Sequence, residues 1–372
     1  MQKDTRELIA LTSLRGVAAV LVVLHHYCLV FTDDIVRWLP SRILVNAYLC
    51  VDLFFILSGF VLAYVYRSFS AGVVAYDYRR FMLARLARIY PLHLFTLAIV
   101  LALEIAAACV GLVYHSVQAH WAPPFTAEQT PLSLLSNLLM LQTLHWGAFW
   151  NVPAWSLSAE FFTYLWLPWL IHALARASLR LCAVMVAMSL TCLLSIEAYF
   201  GDLGITFAGW PQILRAGAGA ALGVVAWNAY RQEYCAWLSG AALLPVFVLC
   251  LCALALPLPA TAIMPLLCVL VLVAARNQAN PSWVFHNGFS HWLGRISFAL
   301  YLVHWIVFDS LRQLCLALTG KGLGANLSLG QELAALPVLL SLCCLLAWGL
   351  QRWVEVPART WVMARWGTRP RQ

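Results

Sequence analysis

The sequence predicts an all-α, polytopic membrane bundle of about ten transmembrane helices, with both termini in the cytoplasm. Three observations predict it. The 372 residues are 63% hydrophobic and only 10% charged, with a mean hydropathy of +0.83, whereas a soluble domain is roughly a quarter charged. Apolar runs of membrane-crossing length recur along the chain, separated by short connections. Basic residues gather in alternate connections, the asymmetry that orients helices in a bilayer.

The elements follow in order. The run LIALTSLRGVAAVLVVLHHYCLVF gives the first span, 9–31, behind Lys3 and Arg6. It is too long for a signal peptide and lacks a small-residue cleavage site, so it reads as an uncleaved first helix. Arg37 and Arg42 lie in the outer connection to the second span, 43–65. The return connection carries Arg67, Arg79, Arg80, Arg85 and Arg88 and leads to the third, 89–114. PLSLLSNLLMLQTLHW then reads as an interfacial or half-inserted helix before the fourth span, 154–174. Arg176 and Arg180 precede 181–200, and Arg231 follows 211–229. Spans 236–256 and 261–275 lead to Arg276 and Arg295 on the inner side. The last two spans, 296–317 and 332–352, enclose Arg312 and Lys321 outside, and Arg352, Arg359, Arg365, Arg369 and Arg371 end the chain inside.

The net charge of +8 therefore belongs to one set of loops and is no nucleic-acid footprint. Twelve cysteines scatter through apolar runs at no zinc or redox spacing, so no metal is expected. With no internal repeat, low-complexity linker or appended soluble domain in view, residues 1–372 read as one membrane-embedded domain.

Chemistry points to the ionisable residues inside spans, which are costly in lipid and face a bundle interior, a cavity or a partner. Arg15 and His26 are eleven residues apart, so they return to within about 20° of one helix face and stand roughly 16 Å apart along it. His26 suits a general base, since an unperturbed imidazole titrates near neutrality, while His25 points about 100° away and reads as a structural histidine. Asp52 and Glu160 fall within about 10 Å of the level of His26 in the outer half. Either suits the orientation of an imidazole or the balance of its charge. The plainer alternatives are that Asp52 meets Arg42 and that Glu160 accepts from Ser156. Glu104 and Asp309 are further membrane acids with no chemistry attached. The run RRFMLARLARIYP sets Arg79, Arg80, Arg85 and Arg88 at the inner edge, as a topology anchor on anionic lipid or as a seat for a polyanionic ligand. Interfacial belts account for most of the 17 tryptophans, and Trp155 stands out beside Ser156, Ser158 and Glu160.

Taken together, these segments resemble acyltransferase family 3, integral membrane proteins that move acyl groups onto sugars and other cell-envelope acceptors. TSLRGVAAVLVVLHHY is similar to the family's opening helix, with an arginine and a histidine separated by ten residues. CVDLFFILSGFVL, RRFMLARLARIYPLH and NVPAWSLSAEFFTYLWLP resemble the next three signatures, and LGRISFALYLVHWIV with RWVEVPARTW resembles the C-terminal end. The likeness spans residues 10–360. It implies that His26 rather than His25 is the catalytic histidine, Arg15 its required companion and Glu160 an important acid. It also sets Arg85 and Arg88 on the family's basic motif, and leaves His304, in the last motif, unassigned. Phe161 stands where many members carry a second acid or a polar residue, which speaks against a paired-acid mechanism. Larger members carry a C-terminal hydrolase-like domain; here transfer is expected to finish in the membrane or on a separate partner.

The resemblance further implies a cytoplasmic acyl-coenzyme A donor, most simply acetyl-CoA, with phosphates on Arg79, Arg80, Arg85 and Arg88. The acceptor is expected to be a saccharide, as surface polysaccharide or lipid-linked glycan, and the location a bacterial inner membrane. The competing class is a proton-coupled transporter or flippase, which predicts inverted repeats and broken helices in matching halves, and no such symmetry is visible.

Overall fold

Each of the ten expected spans overlaps a helix in the computed structural model, which describes residues 7–32, 34–39, 41–109, 114–115, 121–122, 125, 129–144, 149–203, 209–278 and 281–367. Lys3, Arg6, Arg369, Arg371 and much of the two outer loops after the third and fifth spans lie outside the described residues. Among the described residues, the α-helices of at least eight residues are α1 (Ile9–His26), α2 (Cys50–Val65), α3 (Ala75–Cys109), α4 (Pro131–Leu138), α5 (Trp155–Leu174) and α6 (Leu179–Phe200). They continue with α7 (Trp210–Arg231), α8 (Leu243–Ala255), α9 (Ala260–Arg276), α10 (Gly288–Thr319), α11 (Leu329–Leu350) and α12 (Val356–Trp366). The described strands are one antiparallel pair of two residues each, Tyr114–His115 with Trp121–Ala122.

Among the described residues, six stretches are long and apolar enough to cross a bilayer: Ile9–Leu29, Ile43–Val65, Ala75–Cys109, Leu179–Phe200, Gly288–Thr319 and Leu329–Trp366. α5 and α7 have the length but are less apolar, and α8 and α9 are shorter.

Three of the boundaries that differ from the sequence reading have a local cause. α3 starts at Ala75 rather than 89, because Phe81, Ala84 and Ala87 are buried at helical spacing while Arg79 and Arg80 stay exposed. Its 35 residues make a rod of about 52 Å, well beyond a 30 Å hydrocarbon core. α10 starts eight residues early because Asn287 caps it, accepting from the Ser290 N–H at 2.8 Å. α8 starts late, at Leu243, because Glu233 and Cys235 adopt left-handed backbone (φ +55° and +58°) and break the helix. The PLSLLSNL piece is the short helix α4, held by a capping box between Thr130 and Ser133.

α1 packs chiefly on α10, and α2 on α7; α7 also meets α5, α6 and α9. α2 and α7 are buried nearly all round, whereas α6 and α11 turn leucines, valines and tryptophans outward. Glycine sets the closest crossings. A Cβ on Gly59 would overlap the Ala220 carbonyl, and one on Gly223 would overlap that of Ile56, so α2 and α7 touch along their backbones. Ahead of α1, Glu7 accepts from Thr12 and meets His291 of α10, each at 3.0 Å. Partial burial raises its carboxyl pKa, yet the hydrogen bonds from His291 and Thr12 and the nearby charges bring it below the ordinary value.

Candidate active site

The site begins at a second glycine crossing. A Cβ on Gly16 would lie 2.6 Å from the Gly294 nitrogen, and one on Gly294 would overlap the Thr12 carbonyl. Ten residues farther along each helix, His26 Nδ1 and His304 Nε2 stand 3.1 Å apart. Equal intervals on both helices mean that α1 and α10 run parallel and in register over about 15 Å. The crossing at one end thus brings the two imidazoles together at the other.

Hydrogen bonding points to the nitrogen that carries a proton on each ring. His304 Nδ1 lies 3.2 Å from the Leu300 carbonyl, which can only accept, so Nδ1 carries the proton and Nε2 a lone pair. His26 Nδ1 faces two acceptors, the Val22 carbonyl at 3.0 Å and that His304 lone pair, so it too carries a proton. When both rings are neutral, this arrangement leaves the lone pair a base needs on His26 Nε2. Trp305 meets the His26 ring edge-on at 5.2 Å. His25 takes the structural part, with Nδ1 2.7 Å from the Leu44 carbonyl.

Inward along the same face lies a cavity of about 120 Å³, lined by Arg15, Arg85, Arg88, Glu160, Ser58 and Tyr164, among others. Glu160 accepts from Ser58 Oγ at 2.5 Å. Arg88 pairs with Glu355, behind the cavity, at 3.5 Å. Arg85 reaches the Tyr66 hydroxyl at 3.3 Å and lies over its ring, while its Nε is buried with no hydrogen bond. Three guanidiniums facing one carboxylate leave the cavity positive. Tyr301 and Ser156 also line it, 2.9 Å apart, and the Tyr301 ring stands 6.1 Å from that of His304. One wall therefore runs from the arginines to the histidine pair.

The structure separates several residues that the sequence reading grouped. Arg79 and Arg80 are exposed and line no part of this cavity. Glu160 keeps company with Arg15 and Ser58, and the neighbour of the His26 Nδ1 is His304, not a carboxylate. Asp52 is withdrawn altogether. Its carboxylate is gripped by Arg215 of α7 in a fork, Nε to Oδ1 at 2.8 Å and Nη2 to Oδ2 at 2.5 Å, with both side chains almost fully buried. Arg215 also donates to the Leu203 carbonyl at 2.6 Å and sits over Trp155 and Tyr48. Asp52 thus meets neither His26 nor Arg42: a buried guanidinium consumes both of its oxygens.

Residues 8–350 match the acyltransferase domain of family 3. The chain belongs to acyltransferase family 3. Over 210 residues it is 32% identical to protein 2 in the picA locus of Rhizobium radiobacter, covering 54% of this chain and 99% of that one. Over 213 residues it is 30% identical to acyltransferase MdmB of Streptomyces mycarofaciens, covering 54% of this chain and 50% of that protein. No solved structure matches. The family and the membrane-crossing helices make this chain a multi-pass membrane acyltransferase.

Arg215 and Ser58 escaped the sequence reading, and His304 was named there without a role. Arg215 had a signal, since an arginine inside an apolar span requires a counter-charge. His304 was visible only as part of a motif. Ser58 carried no signal beyond polarity.

Proposed function

We propose that this protein moves an acyl group, most simply acetyl, from cytoplasmic acyl-CoA to a hydroxyl of an extracytoplasmic or lipid-linked saccharide across a bacterial inner membrane. The observation that carries this reading is the pairing, along one face of α1, of a cationic cavity at Arg15 with a histidine pair in which His26 Nδ1 is engaged by the Val22 carbonyl and His304. Relatedness to a protein named an acyltransferase supports the reaction class.

In this mechanism the donor's arm enters past Arg85, Arg88 and Arg15, and the thioester reaches His26. The acceptor hydroxyl attacks the thioester carbon while its proton passes to Nε2. The C–S bond breaks, and the thiolate leaves with that proton, restoring the neutral ring. His304 holds the Nδ1 proton of His26 and so keeps Nε2 the basic atom. Glu160 balances the arginines around the arm. The alternative chemistry, in which Nε2 itself carries the acyl group, uses the same lone pair.

The test is transfer from radiolabelled acetyl-CoA to the surface polysaccharide of vesicles carrying wild type or His26→Ala at matched levels. Loss of label by about 10²- to 10⁴-fold is expected for removal of a general base. Equal label in both would remove His26 from the chemistry. No label in either would turn attention to another acyl group or acceptor, or to the transporter class.

A further inference from the structure

The cavity at Arg15 stops short of the histidine pair. Ser156 of α5, Tyr301 of α10 and Phe54 of α2 line it, and neither His26 nor His304 does. Along α10 the interval is occupied by one side chain. Ser297 and Tyr301 both line the cavity, and His304 follows Tyr301 by one turn, a rise of roughly 4.5 Å. The Tyr301 ring lies 6.1 Å from the His304 ring and fills that step. Phe54 closes on the same tyrosine edge-on, with ring centroids 5.9 Å apart. A hydrogen bond then pins the tyrosine at its far end. Ser156 Oγ donates its proton to the Pro153 carbonyl at 3.0 Å, so the Tyr301 hydroxyl, 2.9 Å away, donates to Ser156. Tyr301 and Ser156 are both buried, and their bond ties α10 to the start of α5.

We propose, resting on the acyl-CoA reading above, that Tyr301, latched to Ser156 and backed by Phe54, sets the length of acyl chain that reaches His26, admitting acetyl and holding back longer chains. In that reading the thioester leaves the cavity and comes to His26, so its acyl group must pass the Tyr301 ring. The carbonyl carbon then lies beside the imidazole while the tail takes whatever room adjoins it. Little is left there. Trp305 stands against the His26 ring at 5.2 Å, and Phe308 lies 6.0 Å from the His304 ring. Close-packed side chains make room for an added methylene only by leaving their rotamers or shifting backbone. One methylene more or less in such a pocket discriminates by about 10- to 200-fold. The ring of Tyr301 supplies the bulk, and its hydroxyl keeps that bulk in the path.

The experiment measures kcat/KM for radiolabelled acetyl-, propionyl- and butyryl-CoA in membrane vesicles carrying the full-length protein. Wild type is compared with Tyr301→Leu, Tyr301→Phe and Phe54→Leu. The readout is the ratio of butyryl to acetyl transfer within each protein, which a partial loss of folded enzyme does not move. Wild type should favour acetyl over butyryl by at least about 100-fold, about tenfold for each added methylene. Tyr301→Leu should raise the butyryl-to-acetyl ratio by about tenfold or more. Phe54→Leu, which opens the opposite side, should raise it too and gives the answer if Tyr301→Leu does not fold. Tyr301→Phe keeps the ring and loses only the latch, so its ratio should rise less than that of Tyr301→Leu. Wild type that uses butyryl as readily as acetyl would overturn the gate and leave acyl transfer intact. Wild-type ratios in the folded leucine variants would do the same. Absence of transfer from all three donors by wild type would overturn the acyl-CoA reading and the gate with it.

Discussion

Removing the Asp52 carboxylate should unfold more of this protein than any loss of catalysis would require. Arg215 is 2% exposed and Asp52 1%, so neither charge has water to fall back on. Asp52→Ala takes away both members of the fork and leaves the guanidinium with the Leu203 carbonyl, Gln212 at 3.4 Å and the faces of Trp155 and Tyr48. A buried charge stripped of its partner costs about 3–5 kcal/mol. Arg215→Met should cost a similar amount, because it strands the carboxylate instead. The double variant removes both charges and should be more stable than either single one, with a coupling of at least about 2 kcal/mol. The assay is unfolding in mixed SDS micelles, read by tryptophan fluorescence, for the four proteins of the cycle. Wild-type stability in Asp52→Ala, or additive losses in the double variant, would refute the reasoning. Activity sharpens the result: a positional Asp52 predicts that acyl transfer returns with stability in the double variant, while a catalytic one predicts a stable but inactive protein.

Two further outcomes follow from the same geometry. His304→Gln should lower transfer by about tenfold to a hundredfold, as loss of an orienting partner does. It should also displace the pH–rate profile with melting unchanged; an unmoved profile would reduce His304 to packing. Gly223→Leu, whose Cβ meets the Ile56 carbonyl, should abolish a monodisperse peak in fluorescence size-exclusion chromatography, whereas Gly330→Ala, with open space around it, should be neutral or stabilising by up to about 1 kcal/mol.

Much of this was legible in the sequence because bilayer physics acts on single residues. The apolar runs located the helices, and spacing alone put Arg15 and His26 on one face of α1. The register between helices was not legible. His26 and His304 are 278 residues apart, and nothing local to either says that Gly16 meets Gly294. The arginine run misled in part for a related reason. Read as loop, it gave four equivalent cations, but the N-terminal extension of α3 turns Arg85 and Arg88 inward and leaves Arg79 and Arg80 outside. Arg215 was missed because charges were weighed in connections, where they set topology, rather than inside α7, where one demanded the partner that Asp52 supplies.

The charge layout also bears on why an acyltransferase and a proton-coupled transporter are different machines. A transporter needs an intramembrane acid that is released and recaptured as protons pass. Around this site Asp52 is locked to Arg215, Glu355 faces Arg88, and Glu160 is held by Ser58 beside three arginines. The two imidazoles, with Trp305 against the His26 ring, have each other and backbone carbonyls as partners rather than a carboxylate among the described residues. Such a pair is poor at storing a proton, because an imidazolium there would lack a carboxylate. It suits holding one for the lifetime of a tetrahedral intermediate, when the Nδ1–H bond to His304 becomes charge-assisted and strengthens as charge develops on His26. Arg15, roughly 16 Å from His26 along α1, cannot serve that step, but the arginine-lined cavity suits an anionic ligand whose reactive end is thin enough to reach it. Under the proposed function, that division sets the cations to the donor and the histidine pair to the proton.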